Sequence, residues 1–333
     1  MVCKSSLLTA FTVLLLTSTT SASKFEHFKQ YLHNTLATAR SWEGTEEPVI
    51  GVVTQTLEKE METDPRFADY KYYIMQSYVD WLQAAGARVV PLIQGDLQNV
   101  TMDKLSKVNA VLFPGGDGDY LEFGREVFTQ VKGINDNGGF LPLWGTCMGY
   151  ENMVSYVADE GWDVLSVYDL DSASLAVEFV IDPQSTKMYQ WLGAEAMLFE
   201  DHNVTYNSHH WSMNPDKFKT DKNLSAMFTL TGISYMPQPD GRPIVASIES
   251  EHYPFFGTQF HPEKPTRIFK EDQAVNHSWV SIQLNQHFGQ YFVYQARHNN
   301  QTYGNYSEVQ GAIIQNHELI VTDEWYDSVY VFK

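Results

Sequence analysis

Two groups of residues in this sequence have the types and spacing that acyl transfer needs. Gly145-Thr146-Cys147-Met148-Gly149 sets a nucleophile between two glycines, each two positions away, and lies between an apolar run and a helical pattern. That is the form of a nucleophile elbow, a sharp strand-to-helix turn that holds its nucleophile in strained backbone geometry. The turn also sets Cys147 at a helix N-terminus, where the dipole and free N–H groups favour the thiolate, so a lowered thiol pKa is expected. A thiolate cannot protonate a leaving amine, so a histidine is required nearby. His261-Pro262-Glu263 supplies one. Pro262 disfavours a helix there, and in an extended segment residues two apart share a face. Glu263 is therefore expected to accept the second ring N–H of His261, fixing its tautomer and stabilising the imidazolium.

A tetrahedral intermediate needs N–H donors for its oxyanion. Elbow geometry offers Met148, and the glycines of Phe113-Pro114-Gly115-Gly116 let backbone N–H groups approach a ligand closely, so Gly115 and Gly116 are the expected second source. Each group also has a plainer reading by itself. Cys147 reads equally as an inert buried thiol, Gly115-Gly116 as a turn, and His261 with Glu263 as a polar loop pair.

The elements that must position these groups follow an α/β pattern, with short apolar runs alternating with longer amphipathic ones from Pro48 onward. Strands are expected at Ile50 to Thr54, Arg88 to Leu92, Ala110 to Phe113 and Phe140 to Trp144. Ile74, Tyr78, Trp81, Leu82 and Ala85 fall on one helical face that Gly86 closes. Leu105 and Val108 mark a short helix, Phe123 to Val131 belong to a longer one, and Tyr150 to Val157 follow the elbow. Residues 161–254 suit antiparallel strands and loops. Ile244 to Ile248 and Phe255 to Phe260 read as strands, Val275, Trp279, Ile282 and Phe292 as the buried stripe of a long helix, and Tyr326 to Phe332 as a last strand. The expected fold is a mostly parallel central sheet flanked by helices, in a single domain over residues 23–333. In such a sheet the Gly115-Gly116 loop and the elbow share the carboxyl edge, where ligands bind.

Residues 1–22 have the layout of a secretory signal peptide: Lys4, the mainly apolar run Leu7 to Leu16, then small polar residues. Six Asn-x-Ser/Thr tripeptides, at Asn99, Asn203, Asn223, Asn276, Asn300 and Asn305, agree with the secretory pathway and with glycosylation. Of the two cysteines, Cys3 leaves with the signal peptide, so Cys147 has no intramolecular partner. A net charge of -19 argues against nucleic acid or an anionic membrane surface as partner, and it fits an acidic compartment, secreted or lysosomal. No cofactor and no metal site is expected. Gly115-Gly116-Asp117-Gly118 does not continue into a dinucleotide fingerprint, and His209 and His210, adjacent on a strand, point to opposite faces.

Taken together, Phe113 to Gly116, Trp144-Gly145-Thr146-Cys147-Met148-Gly149-Tyr150-Glu151 and Gln259-Phe260-His261-Pro262-Glu263-Lys264 resemble the class I glutamine amidotransferase fold and, within it, the γ-glutamyl hydrolases. Tyr72-Tyr73-Ile74, the stretch Ala84 to Pro91, and Ser208-His209-His210-Trp211-Ser212 add to the likeness, which runs from about Pro48 to the C-terminus. The resemblance implies cysteine-dependent cleavage of γ-glutamyl amide bonds in folylpoly-γ-glutamates, with Cys147 as nucleophile and His261 as base. It further implies that His209 is needed for activity, that Glu151 and Tyr73 meet the substrate, and that a homodimer is compatible with the family. Residues alone make His209 an ordinary polar loop histidine. Met148 and Tyr150 stand where the family usually has leucine and phenylalanine.

Three other readings share part of this pattern. A glutaminase half of a biosynthetic amidotransferase would have the same triad but works in the cytosol beside a synthase. A papain-like protease would show Cys-Gly-Ser-Cys-Trp and several disulfides, which this chain lacks. A binding protein retaining a relic elbow would label slowly with iodoacetamide, whereas an enzyme's Cys147 would label fast.

Overall fold

The computed structural model describes residues 44–322 and 327–333, so the signal peptide expected at residues 1–22 lies outside the described residues. The central sheet has eight strands. In chain order they are β1 (Val49–Val53), β2 (Arg88–Leu92), β3 (Ala110–Phe113), β4 (Leu143–Thr146), β5 (Glu178–Phe179), β6 (Thr229–Tyr235), β7 (Pro243–Glu249) and β8 (Phe255–Thr258). They lie side by side as β2-β1-β3-β4-β8-β7-β6-β5. The first five run parallel and the remaining pairings are antiparallel, as expected for a mostly parallel sheet with added strands.

The parallel strands are apolar on both faces because helices cover both. Successive residues of β1 enter different cores: Ile50 and Val52 join one, Val49 and Val53 the other. Ala110 and Leu112 of β3 likewise face one side, Val111 and Phe113 the other. On the first side lie α1 (Gln76–Ala84), with Tyr78, Trp81 and Leu82, and the long helix that closes the domain, with Leu284, Phe288 and Phe292. On the second lie α2 (Leu121–Asp136), through Val127, Phe128 and Val131, and α3 (Met148–Val157), through Met153 and Val154. The closing helix is α4 (Trp279–Arg297). Trp144 of β4 is fully buried, with Trp81, Phe256, Phe288 and Phe292 at ring separations of 5.7 to 5.9 Å. Truncating such a residue costs about 3–5 kcal/mol, so this aromatic knot pins the strand that ends at Cys147.

Four expected boundaries are corrected. Ile74 belongs to a strand, Tyr72–Met75, not to α1, because a run of aromatic and β-branched residues pairs with Gln55–Thr56 on one side and Val329–Phe332 on the other. β4 starts at Leu143, and Phe140 stays half out of the sheet in the loop before Pro142. Val275 precedes α4, and Trp279 is 73 % exposed at its first turn, the buried stripe running instead through Ser281, Leu284, Asn285, Phe288 and Phe292. The last strand is Val329–Phe332, with Tyr326 outside the described residues. Among the described residues, no helix is long and apolar enough to cross a membrane.

Candidate active site

Four parallel strands send their C-terminal loops to one edge of the sheet: β1 delivers Gln55, β3 the Gly115-Gly116 turn, β4 the elbow and β8 the segment ending in His261 and Glu263. A long antiparallel ribbon, Ser166–Leu175 with Thr205–Ser212, adds His209 and His210. Between them lies a cavity of about 480 Å³ lined by Cys147, His209, His261, Glu151 and Asp117 among others.

Cys147 is the one described residue other than glycine with positive φ (52°, ψ -115°), the strained geometry of a nucleophile elbow. Its N–H donates to the Thr258 carbonyl of β8 at 2.8 Å, and α3 starts at the next residue. Gly149 is needed for closeness rather than for its own φ: a Cβ there would lie 2.6 Å from the Phe113 carbonyl carbon. Gly115 serves the site the same way, since an added Cβ would lie 2.8 Å from Cys147 Cβ and 2.9 Å from His261 Cε1. Cys147 and the imidazole therefore converge where only a glycine fits.

His261 Nδ1 lies 2.7 Å from Glu263 Oε1. A carboxylate only accepts, so this ring nitrogen carries the hydrogen and leaves Nε2 able to take a proton. Burial works to raise the Glu263 pKa, yet the facing His261 and the Lys264 ammonium 3.6 Å away win and hold it below the usual carboxylate value. The Cys147 thiol goes the other way. Burial pushes it well up, Glu151 and Asp117 add to the rise, and the Met148 N–H opposes them. The expectation of a thiol pKa lowered by the helix N-terminus is thus corrected, because one N–H dipole does not outweigh desolvation and nearby carboxylates.

His209 is 8 % exposed, and its ring meets the Trp211 backbone without forming a hydrogen bond of normal geometry. Burial, with His261 nearby, takes its pKa down to about 3, so it is neutral from mildly acid pH upward. Its neighbour His210 points outward to Asp169, as alternation on a strand dictates. Glu151, one turn into α3, is buried and accepts from Gln259 Nε2 at 2.8 Å, and burial raises its pKa to about 8.

Two expected roles are corrected here. The Gly115 N–H is already committed to the Tyr78 hydroxyl at 2.7 Å, so it is not an oxyanion donor, whereas Gly116 and Met148 stay beside the cavity. Tyr73 is fully buried and does not line the cavity; its hydroxyl donates to Glu58, which does. Sequence reasoning missed Tyr78, Gln55 and Lys264 as supports. Tyr78 had one visible signal, its place on the helical face of α1, which marks a core position but says nothing of its hydroxyl. That hydroxyl sits 3.3 Å from His261 Nδ1. Gln55 braces the turn by donating to the Gly115 carbonyl and accepting from the Gly118 N–H.

An elbow cysteine, a His-Glu pair at the end of the neighbouring strand and a mostly parallel sheet define the glutamine amidotransferase class of α/β protein. The model of the family "Glutamine amidotransferase class-I" matches residues 68–277. A γ-glutamyl hydrolase of Mus musculus is 30 % identical over 288 residues, covering 84 % of this chain and 87 % of that protein. The γ-glutamyl hydrolase of Bos taurus is 30 % identical over 284 residues, covering 83 % and 86 %. γ-Glutamyl hydrolase B of Dictyostelium discoideum is 28 % identical over 298 residues, covering 86 % and 83 %. The chain belongs to the γ-glutamyl hydrolase family within the class I glutamine amidotransferases.

Proposed function

We propose that this protein hydrolyses γ-glutamyl amide bonds through a thioester on Cys147, with folylpoly-γ-glutamates as the substrates its resemblance implies. The observation that carries the reading is the convergence of Cys147 and His261 on Gly115 with Glu263 buried behind the imidazole. In the reaction, His261 Nε2 takes the thiol proton as the sulfur attacks the γ-carbonyl carbon. Burial keeps the thiol a weak acid, so transfer to a waiting base fits better than a standing thiolate. The oxyanion accepts from the Met148 and Gly116 N–H groups. The imidazolium, stabilised by Glu263, then gives its proton to the leaving nitrogen, and the C–N bond breaks. Water, deprotonated by His261, attacks the thioester, the C–S bond breaks with the imidazolium returning that proton to the leaving sulfur, and the γ-carboxylic acid leaves. His209, neutral and on the cavity wall, and Glu151 contact the substrate.

The reading extends to the setting: a secreted or lysosomal protein glycosylated at the six sequons. Its support is that Asn99, Asn203, Asn223, Asn300 and Asn305 are exposed and Asn276 is partly so. Incubation with a pteroyl poly-γ-glutamate and chromatography of the products is the deciding assay. Free glutamate or glutamate oligomers together with a shortened pteroyl product are expected, and an unchanged substrate would overturn the proposal.

A further inference from the structure

Behind the His261–Glu263 pair lies a buried ammonium that forms no part of the cavity wall. Lys264 Nζ stands 3.6 Å from Glu263 Oε1 and 4.0 Å from Asp327 Oδ2, and it donates to the Ser77 hydroxyl at 3.1 Å. The Met75 sulfur lies 3.4 Å from it and the Tyr78 ring 5.6 Å. Asp327 comes from far along the chain, just before the last strand, and its Oδ2 accepts from the Ser77 N–H at 2.8 Å in the first turn of α1. Its Oδ1 faces Arg267 Nε at 3.6 Å. Arg267 is itself a third exposed, meets Asp80 at 3.1 Å and donates to Gln76, so its charge is shared and screened by solvent. Glu263, Lys264 and Asp327 are each at most 5 % exposed, so two buried carboxylates share one buried ammonium. Buried ions persist only where charges are matched closely. The set is short of positive charge while His261 is neutral, and an imidazolium 2.7 Å from Glu263 supplies it.

Resting on the γ-glutamyl hydrolase reading above, we infer that Lys264 and Asp327 are positioning residues for the base and act on it through Glu263. Lys264 keeps Glu263 ionised and available to Nδ1, while Asp327 holds the ammonium back from Glu263 so that His261 gains by keeping the proton it takes from Cys147. An ammonium given wholly to Glu263 would satisfy that carboxylate and leave the imidazole little to gain by charging. A Glu263 without Lys264 would instead keep a proton on the His261–Glu263 pair and leave no free base. The other groups facing His261 are the Cys147 thiol, the Tyr78 hydroxyl and His209, with the Tyr206 ring at 6.1 Å. Burial keeps the thiol, the Tyr78 hydroxyl and His209 uncharged at mildly acid pH. Asp117 acts from the Cys147 side, across the cavity. The fixed charges behind the imidazole are therefore those of Glu263, Lys264 and Asp327, with Arg267 and Asp80 at the rim.

The test compares the full-length wild type with Asp327→Asn, Lys264→Met and the double variant on a pteroyl poly-γ-glutamate, from acid to neutral pH. Asp327→Asn keeps an oxygen for the Ser77 N–H and removes only the charge. It should move the acid limb of kcat/KM to lower pH by about half a unit or more and slow kcat about threefold or more, because the imidazolium is held less well. Lys264→Met should move the limb the other way, by about one unit or more. The double variant, having lost both charges, should return part of the way toward wild type. A purely structural role would lower melting and activity in all three without opposed displacements. If Lys264→Met does not fold, Asp327→Asn and the double variant still decide. An acid limb unmoved in Asp327→Asn, or displaced the same way in both single variants, would overturn the inference and leave γ-glutamyl hydrolysis standing. Wild-type protein that cleaves no pteroyl poly-γ-glutamate would instead remove the reading on which it rests.

Discussion

His261 and Glu263 share a hydrogen bond of 2.7 Å whose carboxylate is wholly out of solvent, with Lys264 on the same oxygen at 3.6 Å. A buried carboxylate stays ionised only where cations face it, and here one of the two facing it is the imidazole itself. Protonating His261 during turnover therefore improves the pairing behind it. Glu263→Gln keeps the shape of the contact and removes its charge, so kcat should fall about tenfold or more with the pH–rate profile displaced. His261→Ala should be far worse. A profile and rate equal to wild type in Glu263→Gln would mean that another group orients the imidazole.

Tyr78 holds the Gly115 N–H and reaches His261 from the helix side. In Tyr78→Phe that buried N–H loses its acceptor, which costs about 1–3 kcal/mol. The variant should melt earlier and turn over more slowly, since the glycine turn that separates Cys147 from His261 loosens. Melting and activity both at wild-type values would show that the hydroxyl is a passive neighbour.

Cys147 is 6 % exposed, so its sulfur is reached through the cavity and not from open solvent. Cys147→Ala should abolish hydrolysis and leave the circular dichroism spectrum and melting midpoint close to wild type, because the side chain faces the cavity rather than a packed core. In the wild type, iodoacetamide should label this thiol, and His261→Ala should slow the labelling by removing the base. Residual turnover in Cys147→Ala near the wild-type rate would displace the nucleophile assignment.

Much of this was legible in the sequence, and what was not has a physical cause. The elbow, the His-Pro-Glu segment and the parallel strands announce themselves because glycine spacing, proline and apolar runs are local signals. Gly115 was legible as a glycine but not as the point where Cys147 and His261 meet, which depends on the order β1-β3-β4-β8 and not on any one segment. Tyr73 looked like a substrate contact, yet burial turned its hydroxyl toward Glu58. The raised Cys147 pKa was invisible for the same reason, since burial, its main cause, comes only with the assembled fold, and Asp117 becomes a neighbour only when the β3 loop meets the elbow.

Glycosylation is expected at the exposed asparagines of the Asn-x-Ser/Thr tripeptides. Asn276 is the least accessible of the six, its amide donating to the Asn203 carbonyl at 2.7 Å. Protein from its native source should shift on a gel after deglycosylase treatment, and peptide mapping should find Asn276 the least occupied. No shift would contradict the secretory assignment.

Two buried groups set opposite pH limits on stability. Glu151 has its folded pKa raised from 4.5 to about 8 by burial, so the folded state holds a proton the unfolded chain gives up. Its contribution is fully present below pH 4.5 and is lost as pH rises through about 8. His209 has its folded pKa lowered from 6.5 to about 3, so the unfolded chain binds the extra proton. Its contribution is present above pH 6.5 and is lost as pH falls toward about 3. Between pH 4.5 and 6.5 the two slopes have opposite sign and cancel, leaving a plateau. Glu58 and Glu249, also raised by burial, add to the Glu151 slope from pH 4.5 upward, His287, lowered by burial, adds to that of His209 below pH 6.5, and the depressed Glu263 joins His209 below pH 4.5. The melting midpoint should therefore be flat across the mildly acid range and drop by several degrees toward about pH 8, at roughly 2–4 °C per kcal/mol. Glu151→Gln should flatten the alkaline decline, and His209→Asn should soften the acid one. A midpoint that climbed steadily from about pH 5 to about pH 8, or an alkaline decline unchanged in Glu151→Gln, would show that Glu151 does not carry its proton into the folded state.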